Sequence, residues 1–103
     1  MADIKYSGAS LADLEQIGDY IAEQLNSPQA ALSTVRKIQD SIDNLTDFPL
    51  MGTPLSSIYD VETDCRFLVC GNYLAFYRLI GDYVFIDRIL YGKRDYISIL
   101  FGA

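Results

Sequence analysis

The sequence predicts an α+β domain of two layers: a short first strand and an antiparallel helical hairpin, then a three-stranded antiparallel meander. Three observations carry the prediction. Two apolar stripes at helical spacing precede residue 46, a serine–proline joint separates them, and two glycine-containing turns punctuate the apolar run after residue 64. A length of 103 residues suits one domain over 1–103, and 50% hydrophobic residues can fill one core.

The first strand is "IKY" at 4–6, closed by Ser7 and Gly8. Ser10 then stands before Leu11, Leu14, Ile17, Ile21 and Leu25, one face of a helix, with Asp13 placed as a capping-box partner. That helix is expected to stop near Asn26. Ser27 and Pro28 supply an N-cap followed by proline at the first helical position, and Leu32, Val35, Ile38, Ile42 and Leu45 form the second stripe. The second helix ends before Phe48-Pro49. Beyond the loop "MGTPLSSIYDVET", strands are expected at 65–70, 73–80 and 83–91. Gly71-Asn72 and Gly81-Asp82 make the hairpins, because glycine tolerates the positive φ that tight turns need.

These turns set the register. Cys70 faces Tyr73 and Ile80 faces Tyr83, so unbroken alternation puts Arg66, Tyr73, Ala75, Tyr77, Ile86, Arg88 and Leu90 on one face. Leu74, Phe76, Arg78, Phe85, Asp87, Ile89 and Tyr91 fall on the other, where Arg78 and Asp87 lie diagonally and are expected to pair. Both faces are largely apolar, yet the hairpin covers one. The second is expected to receive a partner chain, a copy of the same chain, or the C-terminal segment "YISILF".

Composition excludes several functions. The net charge is -6, and residues 1–63 hold three basic side chains against ten acidic ones, leaving the cationic character to residues 64–103. Proteins that grip nucleic acid strongly carry an excess of Lys and Arg, so no strong direct nucleic-acid binding is expected. No stretch approaches the ~18–20 apolar residues of a membrane span. The early acidic residues Asp3, Asp13, Glu15 and Asp19 do not fit a secretory leader, so the expected address is the cytoplasm. Without histidine there is no imidazole base and no Ser/His/Asp triad, and no phosphate-cradling or dinucleotide-binding glycine motif occurs. Cys65 and Cys70 lie about 16 Å apart in one strand, too far to bridge, and are expected as buried thiols. No cofactor and no metal are expected.

The order of elements, with "SGASLADLEQIGDYIAEQ", "LTDFPLMGTPL" and above all "RFLVCGNYLAFYRLIGDYVFIDRILYGKRDY", resembles the ParE/RelE superfamily of bacterial type II toxin–antitoxin toxins, also called plasmid stabilisation proteins. The resemblance runs over nearly the whole chain. It implies one of two mechanisms: RelE-type members cut messenger RNA on the ribosome with basic residues and a tyrosine, whereas ParE-type members poison DNA gyrase. The nuclease alternative would use Arg66, Arg88, Arg94 and Tyr96. Leu74 stands where the nuclease branch has an arginine, "CRFLVC" offers Arg66 alone, and Ile97, Ser98, Ile99 and Leu100 occupy the tyrosine zone. Phosphoryl transfer without metal or histidine needs several converging cations, so the ParE-like branch is expected, with no catalytic residue. A third alternative is an inactive homologue that only binds antitoxin. The resemblance also implies a cognate antitoxin, whose C-terminal segment wraps the toxin. The residues expected to contact antitoxin or target are Leu74, Phe76, Arg78, Phe85, Tyr91, Lys93 and Arg94.

Overall fold

Each predicted element forms close to its expected bounds in the computed structural model, which describes residues 2–102. Strand β1 (Asp3–Tyr6) leads into helix α1 (Gly8–Leu25), and helix α2 (Pro28–Asp43) follows after two residues. The cap of α1 lies upstream of the expected Ser10. Ser7 is the N-cap, its Oγ accepting from the Ser10 amide, and Ser10 is buried with its hydroxyl donating to the Ser7 carbonyl. Asn26 ends α1 in the left-handed conformation at φ 48°. Ser27 caps α2, with Pro28 in its first turn. A short 3₁₀ turn (Asn44–Thr46) completes the second stripe by burying Leu45.

The sheet has five strands, β1 beside β5 (Tyr83–Tyr91), then β4 (Tyr73–Ile80), β3 (Arg66–Cys70) and β2 (Thr53–Pro54), so β1 and β2 form the two edges beside the predicted meander. Strands β3 (Arg66–Cys70), β4 (Tyr73–Ile80) and β5 (Tyr83–Tyr91) are antiparallel, with Cys70 opposite Tyr73 and Ile80 opposite Tyr83 as expected. Strand β1 pairs in parallel with β5, and the two-residue β2 (Thr53–Pro54) lies against β3. Gly71 and Gly81 hold the hairpins at φ 63° and 57°.

One feature departs from strict alternation. Tyr77 pairs with Ile86 but Phe76 pairs with Arg88, so Asp87 is an extra, bulged residue. Its carbonyl accepts from the Ser7 hydroxyl at 2.7 Å. Beyond this point the faces exchange. Ile89 joins Ala75, Tyr77 and Ile86 in the core under the helices, whereas Leu90 joins Phe76 on the opposite face. Tyr91 lies opposite Tyr73, so Tyr91 leaves its expected face and joins Tyr73 on the helix side, where Tyr73 stays with Ala75 and Tyr77 as expected.

Two cores result. The larger packs Leu14, Ile38, Ile42 and Leu45 against Cys70, Ala75, Tyr77, Val84, Ile86 and Ile89. The smaller, on the opposite face, joins Leu55, Cys65, Phe76 and Leu90. Helix α3 (Tyr96–Phe101) covers it with Tyr96, Ile97, Ile99 and Leu100, which settles the segment "YISILF" as part of the second layer. Cys65 and Cys70 are both buried free thiols, one in each core. Among the described residues no helix is long and apolar enough to cross a membrane.

Candidate functional site

Strand geometry decides which cations are available. Arg66 donates from Nη1 to the carbonyls of Gly52 at 2.9 Å and Leu50 at 3.3 Å, pinning the loop that leaves α2. The Tyr77 hydroxyl closes the same loop from inside, accepting from the Gly52 amide and donating to the Pro49 carbonyl, each at 2.9 Å. Held in this way, the loop turns Phe48, Leu50 and Met51 outward, each at least half exposed. Arg78 grips both oxygens of Asp87 at 2.8 and 2.9 Å and sits 5.6 Å from the centre of the Phe85 ring. Arg88 grips both oxygens of buried Asp13 on α1 at 2.8 and 2.9 Å, and the Ile89 amide adds a third bond to that carboxylate at 2.9 Å. The hydrogen bond to Asp13 holds Arg88 above its already high ordinary pKa.

Tyr96 is also engaged. Its hydroxyl lies 2.7 Å from that of Tyr59, with the rings edge to face, and its ring is tilted against Phe76 at 5.1 Å. The bond to Tyr59, together with burial, pushes the Tyr96 phenol up to about 12, so it stays protonated at neutral pH.

Among the described residues Lys93 and Arg94 make no ion pair, and both are exposed. Arg94 stands at the rim of a cleft of about 530 Å³ between α1 and the end of β5. Gln16, Ile17 and Tyr20 form one wall, and Asn72, Tyr73 and Tyr91 the other. The Tyr73 and Tyr91 rings meet edge to face at 5.9 Å. Burial, with smaller effects from Tyr20 and Tyr91, raises the Tyr73 phenol above its ordinary value. The cleft is thus phenolic, neutral in its depth and cationic at one end.

The family profile described as "ParE toxin of type II toxin-antitoxin system, parDE" matches residues 4–96. The chain belongs to the ParE toxin family. A search of curated proteins finds no significant match. Among solved structures, this ParE-family chain is similar to one titled "Chromosomal ParDE TA system from P. aeruginosa", at 26% identity and a TM-score of 0.75, covering 88% of this chain and 96% of that one. YafQ from E. coli strain BL21(DE3) matches at 16% identity and a TM-score of 0.48 over 99% of this chain and 100% of its own.

The residues singled out from the ParE/RelE resemblance do not form one cluster. Arg78 and Arg88 border one cavity of about 440 Å³ with Asp87, whereas Arg66 lies at the α2 exit loop and Arg94 at the tyrosine cleft. Phe76 has no accessible surface, being enclosed beneath α3, so in this conformation it presents nothing to a partner, a correction to its expected place on an open face. Leu74 is half-buried against the same core. Phe85 is half-buried under Arg78. Tyr91 is exposed, but the bulge turns it to the helix side. Sequence reasoning missed Asp13, read as a cap, and the cleft walls Tyr20, Asn72 and Tyr73. The one available signal was an acidic residue directly beside Leu14 on the apolar side of α1, a position that calls for a buried cation.

Proposed function

We propose that this ParE-family toxin acts by binding DNA gyrase in the cytoplasm and is neutralised by a cognate antitoxin, without catalysis of its own. One observation carries the reading: of the four groups a nuclease would use, Arg66, Arg88 and Tyr96 are engaged at separate internal contacts, leaving Arg94 alone facing outward. Stabilising a phosphorane-like transition state needs preorganised donors converging on one phosphate, and each missing donor costs on the order of 10²–10³ in rate. Cations already committed to carboxylates and carbonyls of the fold are not free to converge. Outward apolar side chains on a loop pinned from within, Phe48, Leu50 and Met51, suit docking on a protein surface. The net charge of -6 further disfavours approach to ribosomal RNA.

The test is supercoiling by purified gyrase with and without the toxin, run beside a translating extract carrying labelled transcript. Loss of supercoiling with intact transcript is expected. Transcript cleavage with gyrase unaffected refutes the reading.

A further inference from the structure

Three tyrosines converge on the cleft between α1 and the end of β5 with Arg94, which makes no ion pair among the described residues. Tyr20 and Tyr91 remain 61% and 39% exposed although both rings border a concave surface, so part of their ring area stays open to a ligand even with the Tyr91 ring against Tyr73. Asp13 lies in the wall, but its oxygens are fully engaged by Arg88 and the Ile89 amide, so it presents no net negative charge to a ligand. The free charge is that of Arg94, with Lys93 beside it, in a chain of net charge -6. Tyrosine and arginine are the residue types that dominate binding energy at protein interfaces, because they offer large rigid area with a polar end.

We propose that this cleft is a recognition site for an acidic peptide segment, which pairs a carboxylate with Arg94 and lodges an apolar side chain between Tyr20, Tyr73 and Tyr91. Its volume of about 530 Å³ falls in the range of specific sites and suits an anchoring side chain with its neighbours, not a long strand. A planar guanidinium favours a carboxylate held in bidentate fashion. Two adjacent cations, Arg94 and Lys93, at one end of a phenolic cleft give a backbone of successive phosphates no groove to track, which selects peptide over RNA. A second copy of this chain is disfavoured by the charge both copies share. The inference rests on the reading that a polypeptide partner neutralises the toxin, and it names where that partner is anchored.

The probe is a capped pentapeptide of leucine and glutamate around a central phenylalanine, with a counterpart carrying glutamine in place of glutamate. Each is titrated into ¹⁵N-labelled full-length protein and followed by amide shifts. The acidic peptide is expected to move the signals of Tyr20, Asn72, Tyr91 and Arg94 and to bind at least about tenfold more tightly than the neutral one. Arg94→Glu removes that preference and Arg94→Lys restores part of it. Tyr20→Ala, at an exposed helix position, weakens both peptides. Four outcomes overturn the proposal: no shift into the millimolar range, equal binding of both peptides, shifts centred elsewhere, or displacement by an equimolar uridine tetranucleotide. Concentration-dependent shifts of the same residues without peptide would assign the cleft to self-association and also overturn it. Gyrase supercoiling is measured separately. A failed titration with gyrase still inhibited rejects only the cleft, and peptide binding with gyrase unaffected rejects only the target.

Discussion

Removing the Asp13 carboxylate tests the junction between α1 and β5. Asp13 accepts three bonds, two from Arg88 and one from the amide of Ile89, a residue that is 1% exposed. In Asp13→Ala the Ile89 N–H loses its partner in a place water cannot reach, at a cost of about 1–3 kcal/mol. The Arg88 side chain is 29% exposed and regains water, so loss of the ion pair adds only about 1 kcal/mol. The sum, about 2–4 kcal/mol, corresponds to a fall in Tm of roughly 10–20 °C for a domain of this size. Arg88→Met is expected to cost about 3 kcal/mol for a different reason: it leaves a carboxylate that is 7% exposed without its counter-charge. The double variant relieves that stranded charge, so the two changes should fall short of additivity by about 2 kcal/mol. Urea unfolding of the four proteins at unchanged m-value supplies the numbers. An Asp13→Ala protein within about 0.5 kcal/mol of the parent, or strictly additive changes, would refute the account.

Tyr77→Phe removes both hydroxyl bonds to the exit loop and is expected to cost about 2 kcal/mol in urea unfolding. Gly52→Ala should be worse, about 3 kcal/mol or more, because a Cβ there lies 2.5 Å from the Tyr77 hydroxyl and 2.9 Å from the Phe67 carbonyl, and that backbone cannot easily yield. Burial raises the thiols of Cys65 and Cys70 from 9.0 to about 11. Below about pH 9 both folded and unfolded chains keep these protons; between about 9 and 11 only the unfolded chain releases them, so stability falls as pH rises through that window. Urea midpoints at about pH 8 and pH 10.5 check the sign, and a Cys65→Ala, Cys70→Ala variant should show a smaller drop; an equal drop excludes the thiols as its source.

The legible parts of the fold were those with a local signature. Ser27-Pro28, the stripe from Val35 to Leu45, and the turns at Gly71 and Gly81 each carry their geometry in a few neighbouring residues, and each appears within a residue or two of its expected place. The bulge at Asp87 had no such signature. In "YVFIDRILY" both faces are apolar, so a one-residue slip exchanges Ile89 for Leu90 without placing a polar residue in either core. Arg78 and Asp87 could be paired from sequence because they are close along a hairpin, whereas Asp13 and Arg88 are 75 residues apart and no local rule joins them. Leu11, Leu25 and Leu32 belong to the predicted stripes but stay exposed. The tyrosine cleft depends on the bulge, which turns Tyr91 toward Tyr73, and on the packing of α1 beside β5, which brings Tyr20.

That dependence links the bulge to function. Without the extra residue at Asp87, alternation would keep Arg88 on the helix side and send Tyr91 to the opposite face. With it, Arg88 reaches around the sheet edge, where β1 has already ended at Tyr6, and closes on Asp13, while Tyr91 turns to meet Tyr73 beside α1. One local irregularity therefore commits a cation to holding the fold and completes an exposed aromatic surface beside α1. An arginine cannot serve both as the counter-charge of a buried carboxylate and as a donor free to follow charge developing on a phosphate, because leaving the carboxylate alone costs more than most single interactions return. What remains open to solvent at this end of the sheet is phenol area with Arg94 at its rim, a composition whose strength is selective binding.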